Sequence, residues 1–208
     1  YLLIESLLLS LAGGIERQTN IIWQKKWTWS LGAEVLASRE TDNFSRFGTA
    51  DTRTYFIAAT PTRLAYDGSD DLLDPHRGFR LAARVSPELS LQSGQRGYVR
   101  MQTDGSAYLP IHSEKVVLAG RIRLGQITGA SVFNIAPSRR FYAGGGGSVR
   151  GYGYQAIGPK DLNNDPIGGR SLTETAIEAR IRFGNFGIVP FLDAGQLYTS
   201  SLPRFTAM

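Results

Sequence analysis

The sequence predicts an all-β fold of antiparallel strands, and three observations support that prediction. Polar and apolar residues alternate along several long runs of the chain. These runs approach or exceed the ~9–11 residues of a membrane-spanning strand. The connections between them are alternately short and long. Because successive side chains of a strand point to opposite faces, the alternation indicates a sheet with one polar and one apolar face.

Five runs carry the alternation. In chain order they are KWTWSLGAEVLAS, GFRLAARVS, YVRMQTDGSAYL, VVLAGRIRLGQ and TETAIEARIRF. In the last run, Glu174 and Glu178 fall on one face, and Ile177 and Ile181 fall on the other. Strands of soluble sandwiches average about 5–6 residues. The longer runs, with repeated charges on one face, favour a barrel with a wet lumen and a lipid-facing exterior. A soluble sandwich that buries its apolar face remains the alternative.

The connections favour the barrel as well. DDLLDPHRG, LPIHSEK and RFGNFG are predicted to be compact turns. Between them come SRETDNFSRFGTADTR, PELSLQSGQRG and a long segment from about Ala130 to Leu172. This order places the long loops at one end of the sheet, as in outer-membrane barrels. A connection as long as the third, without a periodic pattern, is usually either functional or disordered.

Composition excludes several classes of protein. The chain has 208 residues, a formal net charge of +5 and no cysteine, so disulfides and thiolate metal sites are absent. Its arginines are dispersed in R-x-R steps, which argues against a nucleic-acid partner. The apolar stretch from Tyr1 to Ile15 contains Glu5 and is shorter than the ~20 residues of a spanning helix, so no transmembrane helix is predicted.

No catalytic, metal or cofactor site is predicted. GGGGSVRGYGY lacks the lysine and the following helix of a phosphate-binding loop. YDGSDDLLDP lacks the spacing of a calcium loop and is predicted to be an acidic turn. His76 and His112 lie in predicted turns, and nothing indicates a metal or a catalytic triad there. The chain is therefore expected not to be an enzyme.

One electrostatic constellation remains. The glycine-rich loop presents Arg150, while Glu178 lies on the polar face of its strand and Asp193 lies in an apolar run. An unpaired charge in such a run is costly, and a guanidinium offers a planar fork of donors to carboxylates. A loop folded into the lumen would place Arg150 against both residues. Independent solvation of the three side chains is the alternative.

Four segments together resemble a known family. SRRFYAGGGGSVRGYGY is similar to the conserved loop of the TamA/BamA superfamily of outer-membrane barrels, the bacterial surface antigen domain. LTETAIEARIRF and VPFLDAGQLY resemble the strands that follow that loop. YDGSDDLLDPHRGFRLAARVSPE resembles a hairpin of the TamA branch. The resemblance covers roughly residues 55–200.

The resemblance implies a set of site residues. The loop motif would comprise Arg140, Phe141, Gly144, Gly145, Val149, Arg150, Gly151 and Tyr152. Its docking partners would be Glu178, Asp193 and Gly195. In the family, the loop enters the lumen and its arginine docks on the Glu and Asp of the next two strands.

The resemblance also implies an architecture and a function. Residues 1–208 would form a partial antiparallel transmembrane β-barrel, about eight strands of an implied sixteen, with a lumen-directed loop at about 130–172. Upstream POTRA domains and the closing strands would lie outside it. The protein would reside in the outer membrane of a Gram-negative bacterium and help insert or export unfolded outer-membrane or autotransporter polypeptides. Its partners would be the lipid bilayer, these clients and an inner-membrane-anchored periplasmic protein. A two-partner secretion transporter and a passive porin are the alternatives.

Overall fold

The computed structural model describes residues 7–18, 26–42, 51–91, 96–112 and 115–203, and the strands in these ranges form one antiparallel sheet. Its strands are β1 (Leu7–Arg17), β2 (Trp27–Asp42), β3 (Asp51–Ala59), β4 (Thr62–Asp67), β5 (Gly78–Ser90), β6 (Arg96–His112), β7 (Val116–Thr128), β8 (Ser171–Phe183), β9 (Phe186–Ile188) and β10 (Phe191–Tyr198). The helical structure described is two 3₁₀ turns, Val132–Asn134 and Pro137–Arg139. In these ranges no helix has the length and apolar character needed to cross a bilayer. The prediction of an all-β antiparallel fold is confirmed.

The ten strands occupy eight positions in the sheet. Strands β3 and β4 both pair with β2 and β5, so together they fill one position. Strands β9 and β10 share the far side of β8 in the same way. The breaks fall at Pro61 and Pro190, which cannot donate to a ladder. Their carbonyl oxygens still accept hydrogen bonds, from the Gly32 and Ala179 amides at 2.8 and 3.0 Å. The predicted count of about eight strands therefore matches positions in the sheet, and two prolines raise the number of segments.

Strand β5 continues through Pro87, although PELSLQSGQRG was predicted to be a long connection. Only residues 91–95 separate β5 from β6. The carbonyl of Pro87 accepts a 3.1 Å hydrogen bond from the Thr60 amide, at the break between β3 and β4. Because the N–H and C=O of a residue in an antiparallel strand point to the same side, the N–H that Pro87 lacks would face this break. A proline is tolerated there at little cost.

The other connections differ in how much of them is described. The segment that joins β2 to β3, residues 43–50, lies outside the described residues. Residues 68–77 join β4 to β5, and the two residues 184–185 join β8 to β9. The longest connection is residues 129–170, between β7 and β8. Its predicted end is two residues too late, because Ser171 and Leu172 already pair with Gln126 and Gly125 of β7.

The apolar face of the sheet is exposed, and the polar face is turned inward. One outward residue from each of five strands illustrates this: Leu11 (78% exposed), Leu31, Leu81, Ile122 and Ile177. A soluble sandwich would bury such residues, whereas a barrel wall presents them to lipid. The exposed apolar face agrees with the predicted part of a barrel.

The buried core lies between loop 129–170 and the inner face of the sheet. One cluster combines loop residues with β6, β7, β8 and β10; its members are Tyr98, Ile127, Ala130, Ile135, Phe141, Ala143, Leu172 and Leu197. A second cluster joins Ala136 of the loop to Leu36, Tyr55 and Ile57. The loop therefore packs against β10 at one side of the sheet and against β2 and β3 at the other, and it crosses the inner face between them.

Candidate functional site: a loop held on the inner wall

The glycines of the loop permit a backbone path that other residues resist. Gly144, Gly145 and Gly151 all have positive φ angles, between +86° and +107°. A Cβ atom on Gly144 would lie 2.6 Å from the carbonyl oxygen of Gly153. Only glycine is free of both the strain and this clash. The loop therefore turns sharply before it presents Ser148, Val149 and Arg150 to the wall.

Arg150 meets Asp193 of β10 through three hydrogen bonds. Its backbone N–H and its Nε donate to Oδ2 at 2.9 and 2.8 Å. Its Nη2 donates to Oδ1 at 2.8 Å. The Asp193 side chain is only 2% exposed. A forked, charge-assisted arrangement of this kind fixes both position and orientation.

Arg150 also reaches Glu178 of β8 with its remaining Nη atom. Nη1 donates to Oε2 at 2.9 Å, and Arg180 donates to the other oxygen of the same carboxylate at 2.9 Å. The guanidinium carbon lies 3.8 Å from the centre of the Phe191 ring, within the range of a cation–π contact. The hydrogen bond with Asp193, opposed by desolvation and reinforced by Glu178, raises the pKa of Arg150 above its ordinary value. The structure thus brings together the three residues of the predicted constellation.

Val149 and Gly195 form the apolar part of the contact. Val149 is 1% exposed, and its Cγ2 lies 2.5 Å from where a Cβ on Gly195 would stand. The loop can approach β10 this closely because residue 195 has no side chain. Gly195 therefore contributes to the contact by close packing, whereas Glu178 and Asp193 contribute by ion pairs with Arg150.

A second point of attachment was not predicted from the sequence. The hydroxyl of Ser148 donates a short hydrogen bond to Glu174, whose side chain is 1% exposed. Arg123 of β7 faces the same carboxylate at 3.3 Å, and Arg121 donates to the carbonyl oxygens of Gly147 and Ser148. The available signal was that Arg121, Arg123 and Glu174 share the polar face on which Glu178 lies. The pairing across 26 residues with Ser148 had no local signature.

Two further motif residues hold the base of the loop. Arg140 is buried and donates to the carbonyl oxygens of Ile135 and Ile167 at 3.1 and 2.9 Å. Phe141 is buried in the core beneath the guanidinium of Arg100, 4.5 Å from it. These two residues stabilise the base of the loop, apart from the contacts between Arg150 and the carboxylates of Glu178 and Asp193. Tyr152, also predicted for the site, is 59% exposed.

The loop also binds the opposite side of the wall, which the sequence did not reveal. The amide and hydroxyl of Ser138 donate to the two carboxylate oxygens of Glu40 in β2 at 2.9 and 2.7 Å. Arg139 lies 2.9 Å from Glu34 of β2 and 3.7 Å from Glu88 of β5. Burial disfavours the charged form of Arg139, but Glu88 and Glu34 outweigh this effect and raise its pKa.

The acidic turn 68–77 is ordered by its own hydrogen bonds. One oxygen of Asp70 accepts the N–H groups of Asp71, His76 and Arg77 at 2.9–3.1 Å. The Arg77 bond is the main cause that lowers the pKa of Asp70. Asp74 forms an ion pair with Arg182 of β8, which lowers the pKa of Asp74. The described residues contain no group of three or more potential metal-binding side chains.

Comparison with known proteins places the chain in a family. Residues 8–206 match the model of the Omp85 superfamily domain. The fold is similar to that of BamA from Haemophilus ducreyi lacking POTRA domains 1–3, with a TM-score of 0.73 and 18% sequence identity. The match covers 93% of this chain but 42% of that one, and at this identity it shows the fold alone. The chain belongs to the Omp85 superfamily.

Proposed function

We propose that the protein is a non-enzymatic component of the Gram-negative outer membrane that helps to insert or export other polypeptides. The observation that supports this most is the attachment of loop residue Arg150 to Asp193 and Glu178 on two strands of the wall. Membership of the Omp85 superfamily gives the loop its context. The loop acts as a latch that fixes the conformation of the wall while a client engages it.

The outer surface is suited to a bilayer. At the end of the sheet that carries turn 68–77, Trp27, Tyr66 and Phe79 form a chain of aromatic contacts with ring centres 5.0 and 5.3 Å apart. Aromatic girdles mark the interfaces of membrane-spanning barrels. Leucines and isoleucines occupy the outward positions beyond this group. These features support a location in the outer membrane.

The finer assignment is to the TamA branch, and it depends on the hairpin from Tyr66 to Glu88. In this proposal residues 1–208 belong to a sixteen-stranded barrel domain, with POTRA domains upstream and the closing strands downstream. Autotransporters and other unfolded outer-membrane proteins are its clients, and an inner-membrane-anchored periplasmic protein is its partner. Strand addition at an edge of the sheet would engage the client.

The charged contacts between the loop and the sheet would resist a change in the relative position of the strands. Glu174 and Glu178 of β8 and Asp193 of β10 bind the loop, and Glu40 of β2 binds the same loop. A change in the relative position of these strands would have to break buried, charge-assisted hydrogen bonds. Each removed partner leaves a buried charge unpaired, which is costly.

Reconstitution provides the test. The protein expressed from its complete gene is placed in liposomes with an unfolded outer-membrane β-barrel protein, and folding of the client is followed by its heat-modifiable mobility in gels. We expect the wild-type protein to accelerate folding, and Arg150→Ala to lose most of the acceleration. Arg77→Ala, which removes the same charge from the exposed turn, is the matched control. If the client folds as fast in empty liposomes as in liposomes with the wild-type protein, the proposed assembly function is wrong for this class of client.

A further inference from the structure

Two cavities line the inner wall, and Arg63 and Arg84 border both. The first has a volume of about 600 Å³ and is lined by six arginines against the three carboxylates of Glu16, Asp67 and Asp104. The second, of about 590 Å³, adds Arg100 and Arg139 to the shared pair, and its carboxylates are those of Glu16, Glu34 and Glu88. Loop docking accounts for Arg121 and Arg139, which contact the loop or belong to it. It does not account for Arg63 or Arg84, whereas the guanidinium of Arg100 contacts the loop through the Phe141 ring.

Arg63 and Arg84 stand directly opposite each other on β4 and β5. Like charges at such a position destabilise a sheet unless an anion lies near them. Arg84 bonds to Asp104 at 2.6 Å, but the other oxygen of Asp104 is taken by Arg123 at 2.6 Å. Arg63 has no acidic partner among the described residues. Glu16, on the same row, is separated from Arg63 by strand β2 at Ser30, so their Cα atoms lie about 10 Å apart.

Arg100 adds an independent sign of an absent partner. It lies on β6 opposite Ser86, diagonal to Arg84, on the same inner face. Its Nε is buried and has no hydrogen-bond partner in the described part of the chain. Glu88 attracts Arg100 electrostatically, but its carboxylate accepts a hydrogen bond from the Tyr98 hydroxyl at 2.8 Å and lies 3.7 Å from Arg139. A buried guanidinium nitrogen without an acceptor is uncommon in folded proteins.

We propose that Arg63, Arg84 and Arg100 form a site on the inner wall for a carboxylate group of a polypeptide in the lumen. Guanidinium forks match carboxylate geometry and can bind it through two parallel hydrogen bonds. The three side chains lie on the face opposite the exposed leucines, so the sheet separates them from lipid headgroups and acyl chains. An acidic segment of a client polypeptide is the ligand that can reach them. The identity of the ligand as a client depends on the proposed function, whereas the site itself does not.

Direct binding tests the proposal without measuring assembly. The protein from its complete gene, purified in detergent, is titrated with a fluorescent ten-residue peptide that carries five glutamates, and anisotropy is recorded at low ionic strength. A peptide with glutamines at the same positions is the ligand control. We expect Arg63→Gln to weaken binding of the acidic peptide at least fivefold and Arg63→Lys to weaken it less. Arg77→Gln, on the exposed turn, removes the same charge and should leave affinity unchanged.

The outcomes separate the explanations. Equal losses in Arg63→Gln and Arg77→Gln would mean attraction to net charge and would overturn the site, as would an unchanged affinity in Arg63→Gln. Inorganic phosphate that competes at micromolar concentration would identify a small-anion site and would overturn the polypeptide assignment. Heat-modifiable mobility of each variant verifies that its barrel is folded. If the peptide binds as expected but the liposome assay shows no client folding, the site stands and the assembly function fails.

Discussion

The side chain of Val149 occupies the space that a Cβ atom on Gly195 would need, with Cγ2 only 2.5 Å from that position. The loop can pack this closely against β10 because Gly195 has no side chain, and Val149 fills the space that is left. The nearby ion pairs of Arg150 depend on this fit, since Arg150 follows Val149 directly in the chain. Packing and charge act on adjacent residues of one segment.

Gly195→Ala should displace the loop from β10. Overpacking of this kind typically costs about 1–3 kcal/mol, and here it would lengthen the Arg150–Asp193 contacts. Limited trypsin digestion, with cleavage within residues 129–170 as the readout, should show faster cutting. Gly120→Ala is the control, because a Cβ there has its nearest neighbour at 4.0 Å. The double variant Gly195→Ala with Val149→Ala should recover protection, and a double variant as sensitive as the single one would contradict the packing explanation.

Arg150→Ala should leave the Asp193 carboxylate buried and unpaired. Breaking a buried pair costs about 3–5 kcal/mol, and we expect roughly 2–4 kcal/mol because Arg150 is 29% exposed and partly screened. Trypsin cleavage after Arg139, Arg140 and Lys160, sites that the variant keeps, measures the effect on the loop, and thermal unfolding measures the effect on stability. Arg150→Lys should be intermediate, since an ammonium cannot span Asp193 and Glu178 with a planar fork. Unchanged loop protection in a folded Arg150→Ala barrel would contradict the docking.

Glu174→Gln tests the second point of attachment. The amide can still accept from the Ser148 hydroxyl or approach Arg123, but it lacks the charge that both contacts use. We expect a loss of about 1.5–3 kcal/mol, the usual worth of hydrogen bonds to charged groups, and increased hydrogen exchange near residues 144–149. Ser148→Ala should reproduce the increased exchange with a smaller loss of stability. Exchange confined to β8 would show that Glu174 braces the wall rather than the loop.

Acid should loosen turn 68–77 at low pH. The lowered pKa of Asp70 means that folding favours its ionised form. Its contribution is therefore complete above the ordinary value of 3.8 and is lost as the pH falls through the lowered pKa. Carboxyl carbon chemical shifts of Asp70 should give a midpoint below 3.8, and hydrogen exchange in the turn should rise over the same range. In Asp70→Asn the protection factors of the turn, which correct the exchange for its intrinsic pH dependence, should lose the part of the change that Asp70 causes, although Asp71 and Asp74 still titrate. A midpoint at or above 3.8 would contradict the bonding of the carboxylate.

Local sequence was sufficient for the elements and for one part of the site. Alternation along TETAIEARIRF placed Glu174 and Glu178 on the inner face and Ile177 on the outer face, as the exposures of these residues show. It worked because the period of side-chain direction in a strand is two, whatever the strand pairs with. The breaks at Pro61 and Pro190 were harder, since a proline shows that a donor is missing but not whether its carbonyl keeps the strand in register.

The sequence by itself determined the strands, the inward face and a long glycine-rich loop with one prominent arginine. Only the tertiary structure decided that Ser148 meets Glu174, that Ser138 crosses to Glu40 and that Arg63 stands directly opposite Arg84. These contacts join residues up to 98 positions apart in the chain. Periodicity reports which way a side chain points, whereas its partner depends on strand order, register and the path of the loop across the inner face. Those are properties of the assembled sheet rather than of any one segment.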